Sequence, residues 1–139
     1  MNGARSIARA EADQVDARLR QIVADRRSSA LELGALLCRV KERRLYKELG
    51  HLWFRDYVLA LEVSQSYAER VMRAHRAAQR EPALRALPVD KILFVAGVAA
   101  RPDSPRTLEG WVDFAKKSDN VACREEKKRL TRSGVLISA

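Results

Sequence analysis

Apolar residues recur along this chain at the three- and four-residue spacing of helices. In the first segment Ala8, Ala12, Val15, Leu19 and Ile22 form a heptad-like stripe on a helix that reaches Arg27. Two heptads suit equally a dimerising or partner-binding arm and a helix packed on its own domain. After the interruption at Arg26-Arg27-Ser28, Ser29-Ala30-Leu31-Glu32 has capping-box spacing and opens a second helix, with Leu33, Leu36, Leu37 and Val40 on one face. Arg44 and Lys47 continue that stripe, their stems able to cover apolar surface while their heads reach water or phosphate. Gly50 stands where a helix C-terminus favours a left-handed residue.

Phe54, Tyr57, Val58 and Leu61 then predict a short helix of about two turns facing the core. Glu62-Val63-Ser64 separates it from a longer helix that begins near Gln65, with Ser64 as its N-cap and Ser66-Tyr67-Ala68-Glu69 as a second, overlapping start. At the helical repeat Ala68, Val71, His75 and Ala78 share one face, and Ser66, Glu69, Arg73, Arg76 and Arg80 share the opposite one. Trp53 is expected to pack at the start of the short helix, with base stacking as the other reading. Cys38 lies off the centre of its stripe and is expected to be a semi-buried packing residue.

Pro82 suits the first turn of a short helix through Leu87, and Pro88 opens the next. Val89 to Ala100 carries Ile92, Leu93, Phe94, Val95 and Val98 with only Asp90 and Lys91 charged, so it should be the central buried helix. The run Ile92 to Val95 also fits a buried strand, but the alanines that extend it and the lack of partner strands favour helix. Arg101-Pro102-Asp103-Ser104-Pro105 is a loop. Leu108, Trp111, Val112 and Ala115 mark one further helix, and Ser118 is placed to cap a last, highly charged one from Asn120 to about Arg132. The expected architecture is all-α: an N-terminal helical arm over 1–27, a helical domain over 28–132 and a mobile tail over 133–139.

Composition agrees with helix, because the 47% of hydrophobic residues is largely alanine and leucine and aromatics reach only 6%. The 139 residues can bury a core without metal or disulfide help. Lys and Arg exceed Asp and Glu by 27 to 18, a net +9 that favours a polyanionic partner, nucleic acid before membrane. Only residues 81–100 are neutral overall. Two distant cysteines, Cys38 and Cys123, make neither a disulfide framework nor a C-x-x-C pattern, so a reducing cytoplasm is expected. No apolar run of about 18 residues and no hydrophobic signal region occur, so the chain is expected to be neither embedded nor secreted.

The short helix, the turn Leu61-Glu62-Val63-Ser64-Gln65-Ser66 and the following Ala68, Val71 and Met72 resemble the helix-turn-helix DNA-binding family, which usually has glycine where this chain has Glu62. Over roughly Glu32 to Arg132 the order of segments also resembles the helical region preceding the nuclease domain of HNH endonuclease-like proteins and, more distantly, the helix-turn-helix domain of ParB-type partition proteins. The resemblance implies a second helix lying in a major groove of double-stranded DNA. Carried over by position, Ser64, Gln65, Ser66, Glu69, Arg70 and Arg73 would face base edges, and Arg43, Lys47, Arg55, Arg76 and Arg80 would face phosphates. The ordinary alternative is a surface helix with a solvated basic stripe.

No chemistry competes with this reading. His51 and His75 are the only histidines, so neither a His-Asn-His nuclease constellation nor a metal site is implied. His75 falls on an apolar face and is expected to be a core histidine. The glycines are scattered, Gly97 being assigned to close helix packing, and no phosphate-cradling loop is present. No positioned base activates Ser64 or Ser66. The chain is therefore expected to need no cofactor or metal and to catalyse nothing. It is read as a sequence-specific DNA-binding protein, a small bacterial or mobile-element transcription or replicon regulator, with a homodimer through residues 1–27 open. The alternative is a helical interaction adaptor with a basic surface.

Overall fold

The computed structural model describes residues 3–25 and 29–132. They form eight α-helices and one 3-10 helix, with no strand among the described residues, so the fold is all-α as expected. The helices are α1 Gly3–Ala24, α2 Ala30–Glu42, α3 Leu45–Glu48, α4 Phe54–Ala60, α5 Gln65–Arg80, the 3-10 helix Pro82–Ala86, α6 Val89–Ala99, α7 Leu108–Lys117 and α8 Asn120–Arg132. No described helix is long and apolar enough to cross a membrane. The expected tail 133–139 and the break at residues 26–28 lie outside the described residues.

The chain divides into two units between His75 and Arg76, inside α5, whereas the sequence pattern placed the first boundary after Arg27. In the first unit α1 packs on α2 and α3, and Ala12, Val15, Leu19 and Ile22 are all buried. The stripe that could have served an intermolecular arm is thus covered within its own unit. Polar bonds tie α1 down as well. Arg18 binds the Glu32 carboxylate in α2 through Nε at 2.7 Å and Nη2 at 2.9 Å, and Tyr57 Oη in α4 donates to Asp16 Oδ1 at 2.8 Å. Burial, reinforced by the Asp16 carboxylate, pushes the Tyr57 phenol well above its ordinary pKa.

Three left-handed residues end helices in this unit: Arg44 (φ 54°), Gly50 (φ 91°) and Glu62 (φ 63°). Gly50 closes α3 in a Schellman motif, with its own N–H on the Lys47 carbonyl at 3.1 Å and the His51 N–H on that of Tyr46 at 3.0 Å. At Arg44 the expected continuous helix from Ser29 to Gly50 is broken into α2 and α3. That break buries Leu45 and leaves Arg44 and Lys47 exposed, so they do not extend the apolar stripe of α2.

Gly34 is the close-packing glycine. A Cβ there would stand 2.1 Å from the Val71 carbonyl oxygen, so α2 lies directly on the backbone of α5. Gly97, to which the sequence pattern assigned that role, has open space around its Cβ position and is exposed. Cys38, deeper than expected, is fully buried on the same α2 face, its Sγ 3.8 Å from the Met72 carbonyl.

In the second unit α6 packs on α7, α8 and the 3-10 helix and buries Ile92, Val95 and Val98, the inner position its neutral sequence predicted. Trp111 on α7 is completely buried and donates from Nε1 to Ser104 Oγ at 2.6 Å, fixing the preceding loop. Phe94, Trp111 and Phe114 form an edge-to-face cluster, over which Arg106 lies 4.9 Å from the Trp111 ring and 4.4 Å from that of Phe114. Thr107 caps α7 by accepting from the Gly110 N–H. Asp119, not Ser118, caps α8, its Oδ1 accepting from the Ala122 N–H at 2.7 Å. Burial raises the Cys123 thiol above its ordinary pKa, which suppresses the thiolate.

Candidate nucleic-acid interface

The candidate interface is built from α4, the four residues after it, and α5. Tyr57, Val58 and Leu61 are buried, so α4 is anchored by its inner face. It ends in a second Schellman motif. The Glu62 N–H donates to Leu59 at 2.9 Å and the Val63 N–H to Val58 at 3.3 Å, which requires the left-handed backbone at Glu62. A non-glycine residue holds this conformation at a cost of about 1 to 2 kcal/mol, offset here because Val58 and Val63 on either side are buried. Glu62 therefore does at this turn what glycine usually does.

Ser64 caps α5, its Oγ accepting from the Tyr67 N–H at 3.1 Å; the alternative start at Ser66 is not used. Ala68, Val71, Met72 and Ala74 are buried, which turns Ser66, Glu69 and Arg73 to solvent on the opposite face. No ion pair joins Glu69 to Arg73 among the described residues, and both side chains are exposed.

The expected base-facing residues separate into two groups. Ser66, Glu69 and Arg73 are exposed along one ridge. Ser64 is occupied as the cap, and Gln65 is half-buried with its Nε2 donating to the Arg55 carbonyl at 2.9 Å, which ties the first residue of α5 to the first turn of α4. Arg70 is half-buried. Of the expected phosphate contacts, Lys47, Arg55 and Arg80 are exposed and Arg76 is half-buried. Arg43 instead makes an ion pair with Glu11 of α1, a carboxylate that Arg39 also approaches at 3.3 Å, so its charge is partly neutralised. His75, expected in the core, is only half-buried.

Two features near this surface had no clear signal in the sequence. Trp53, expected to pack, occupies the N-cap position of α4 without a side-chain cap bond and is 62% exposed, beside Leu52 at 77%. Tyr67, in the first turn of α5, is also exposed. No group of three or more His, Cys, Asp or Glu able to hold a metal ion occurs among the described residues. Comparison with known family models, curated proteins and solved structures returns no match.

Proposed function

We propose that this chain is a sequence-specific double-stranded-DNA-binding protein, a small transcription or replicon regulator, in which the first turns of α5 enter the major groove and α4 supports them. The observation that supports this most is the turn: left-handed Glu62 and the Ser64 cap fix α5 relative to α4, and the face of α5 opposite its buried side carries Ser66, Glu69 and Arg73. In this reading these three address base edges, where an arginine can take guanine bidentately and a glutamate can accept from a cytosine amine. Arg70 lies at the edge of the ridge. Ser64 and Gln65 position the helix. Lys47, Arg55, Arg76 and Arg80 neutralise phosphates, and Arg43, held by Glu11, contributes least.

The role proposed is non-catalytic and cytoplasmic, at the nucleoid. A homodimer through residues 1–27 would have to form on the outer side of α1, because its apolar stripe is buried. The second reading, a helical adaptor, draws on Leu59, an apolar side chain of α4 that is 60% exposed. Selection of bound duplexes from a random pool separates the two. DNA reading predicts enrichment of a defined short site, duplicated with fixed spacing if the protein is a dimer. A pool that stays random removes sequence-specific binding.

A further inference from the structure

Two exposed large apolar side chains of the first unit, Leu52 and Trp53, adjoin one another at the start of α4. A tryptophan at an N-cap position does nothing for the helix, since it supplies no oxygen to the orphan N–H groups, and here its ring is mostly in water. The first turn of α4 that follows it carries one cation, Arg55, and one carboxylate, Asp56. The neighbouring Phe54 ring has the Lys41 ammonium 5.7 Å from its centroid, and Arg55 is two residues on and exposed. The same turn of α4 is bound to the start of α5, because Gln65 Nε2 donates to the Arg55 carbonyl at 2.9 Å. An apolar, aromatic element with an exposed arginine two residues on therefore lies near the end of α5 that would meet bases.

Resting on the reading of α5 given above, we propose that Trp53, flanked by Leu52, makes an apolar contact with the sugar–phosphate backbone of the bound duplex. The indole would cover deoxyribose carbons while Arg55 takes an adjoining phosphate. The chemistry is suited to this partner: the duplex edge alternates apolar sugar with charged phosphate, and this surface sets an exposed indole two residues from an exposed arginine. An acidic protein segment would match the charge but has no need of the neighbouring end of α5.

The two tryptophans provide the test, because Trp111 is 0% exposed and the emission quenched by the neutral quencher acrylamide belongs to Trp53. In the full chain, titration with mixed-sequence duplex at about 50 mM salt should abolish that quenching. Trp53→Ala should weaken duplex binding about 5- to 20-fold without changing the salt slope, since no phosphate contact is lost, and Trp53→Phe should restore most of it. Circular dichroism melting of both variants should match the parent, because the side chain is exposed. If duplex binds with normal salt dependence while Trp53 stays fully quenchable and Trp53→Ala binds like the parent, the inference is wrong and the α5 reading stands. If poly-glutamate shields Trp53 as well as duplex does, the surface takes acidic chains generally and the backbone assignment is overturned. If no duplex binds at all, the α5 reading fails and takes this one with it.

Discussion

Replacing Gly34 by alanine would drive a methyl group into the backbone of α5. The added Cβ would lie 2.1 Å from the Val71 oxygen and 2.6 Å from its carbonyl carbon, where ordinary contact begins at 3.4 Å. Neither partner is a side chain that can rotate away, so α2 and α5 must part by roughly 1 Å, loosening the contacts between them. Overpacking of this kind costs about 1 to 3 kcal/mol and occasionally more, against a gain of about 1 kcal/mol in helix propensity from removing a glycine. A net loss of about 0 to 2 kcal/mol is expected, with a fall in Tm of roughly 4 to 8 °C per kcal/mol for a unit of this size. Gly97→Ala is the internal control. The same change in a helix with open space around it should stabilise the second unit by about 0.5 to 1 kcal/mol. Thermal melts followed by far-ultraviolet circular dichroism compare the two. Equal stabilisation by both substitutions would refute the α2–α5 contact, and with it the account of how α5 is seated.

Substitutions at the turn, the cap, the buried phenol and the exposed ridge of α5 have separate expected outcomes. Glu62→Gly relieves left-handed strain but adds freedom to the unfolded chain, so it should be neutral or stabilise by up to about 1 kcal/mol, whereas Glu62→Val should destabilise; urea titration distinguishes them. Ser64→Ala removes the cap of α5 and should cost about 1 kcal/mol in the same measurement. Tyr57→Phe removes the bond to Asp16 and should cost about 1.5 to 3 kcal/mol at neutral pH. Because the folded pKa of Tyr57 is raised, its contribution is fully present below the ordinary phenol value of about 10 and is lost as pH rises above it. The parent should therefore lose stability in alkali more steeply than Tyr57→Phe, and parallel pH profiles would contradict the assignment. On the reading face, Arg73→Ala should lower specific affinity about 10-fold and relax preference at one base pair, while Arg80→Ala should weaken all duplexes alike; equal effects on specific and random duplex would make α5 a purely electrostatic surface.

Helix periodicity carried most of the fold. The buried positions of α1, α4 and α7 follow their three- and four-residue spacing, and Gly50 marked the end of α3 because glycine is the ordinary residue for a left-handed cap. Arg44 adopts the same conformation without that signature, so the break between α2 and α3 was invisible. Gly34 and Gly97 look alike in sequence, since both sit inside helices. Only the crossing of α2 over Val71 tells them apart. At the candidate site the exposed ridge of α5 was legible from its repeat, but side-chain occupancy was not. Gln65 is engaged by a carbonyl ten residues back, and Arg43 by a carboxylate on α1, interactions that local spacing does not encode. Trp53 was misassigned because a large aromatic ordinarily packs, and only the folded chain leaves its ring in water.

The central claim, that the α4–α5 unit binds duplex DNA, is tested most directly by measuring the affinity of the full chain for mixed-sequence duplex across a series of salt concentrations. With Lys47, Arg55, Arg76 and Arg80 on phosphates, log affinity should fall against log salt with a slope of about −3 to −4, near −0.9 for each contact. Arg80→Ala should reduce that slope by about one. Absence of binding at about 50 mM salt, or binding that does not change with salt, would contradict it.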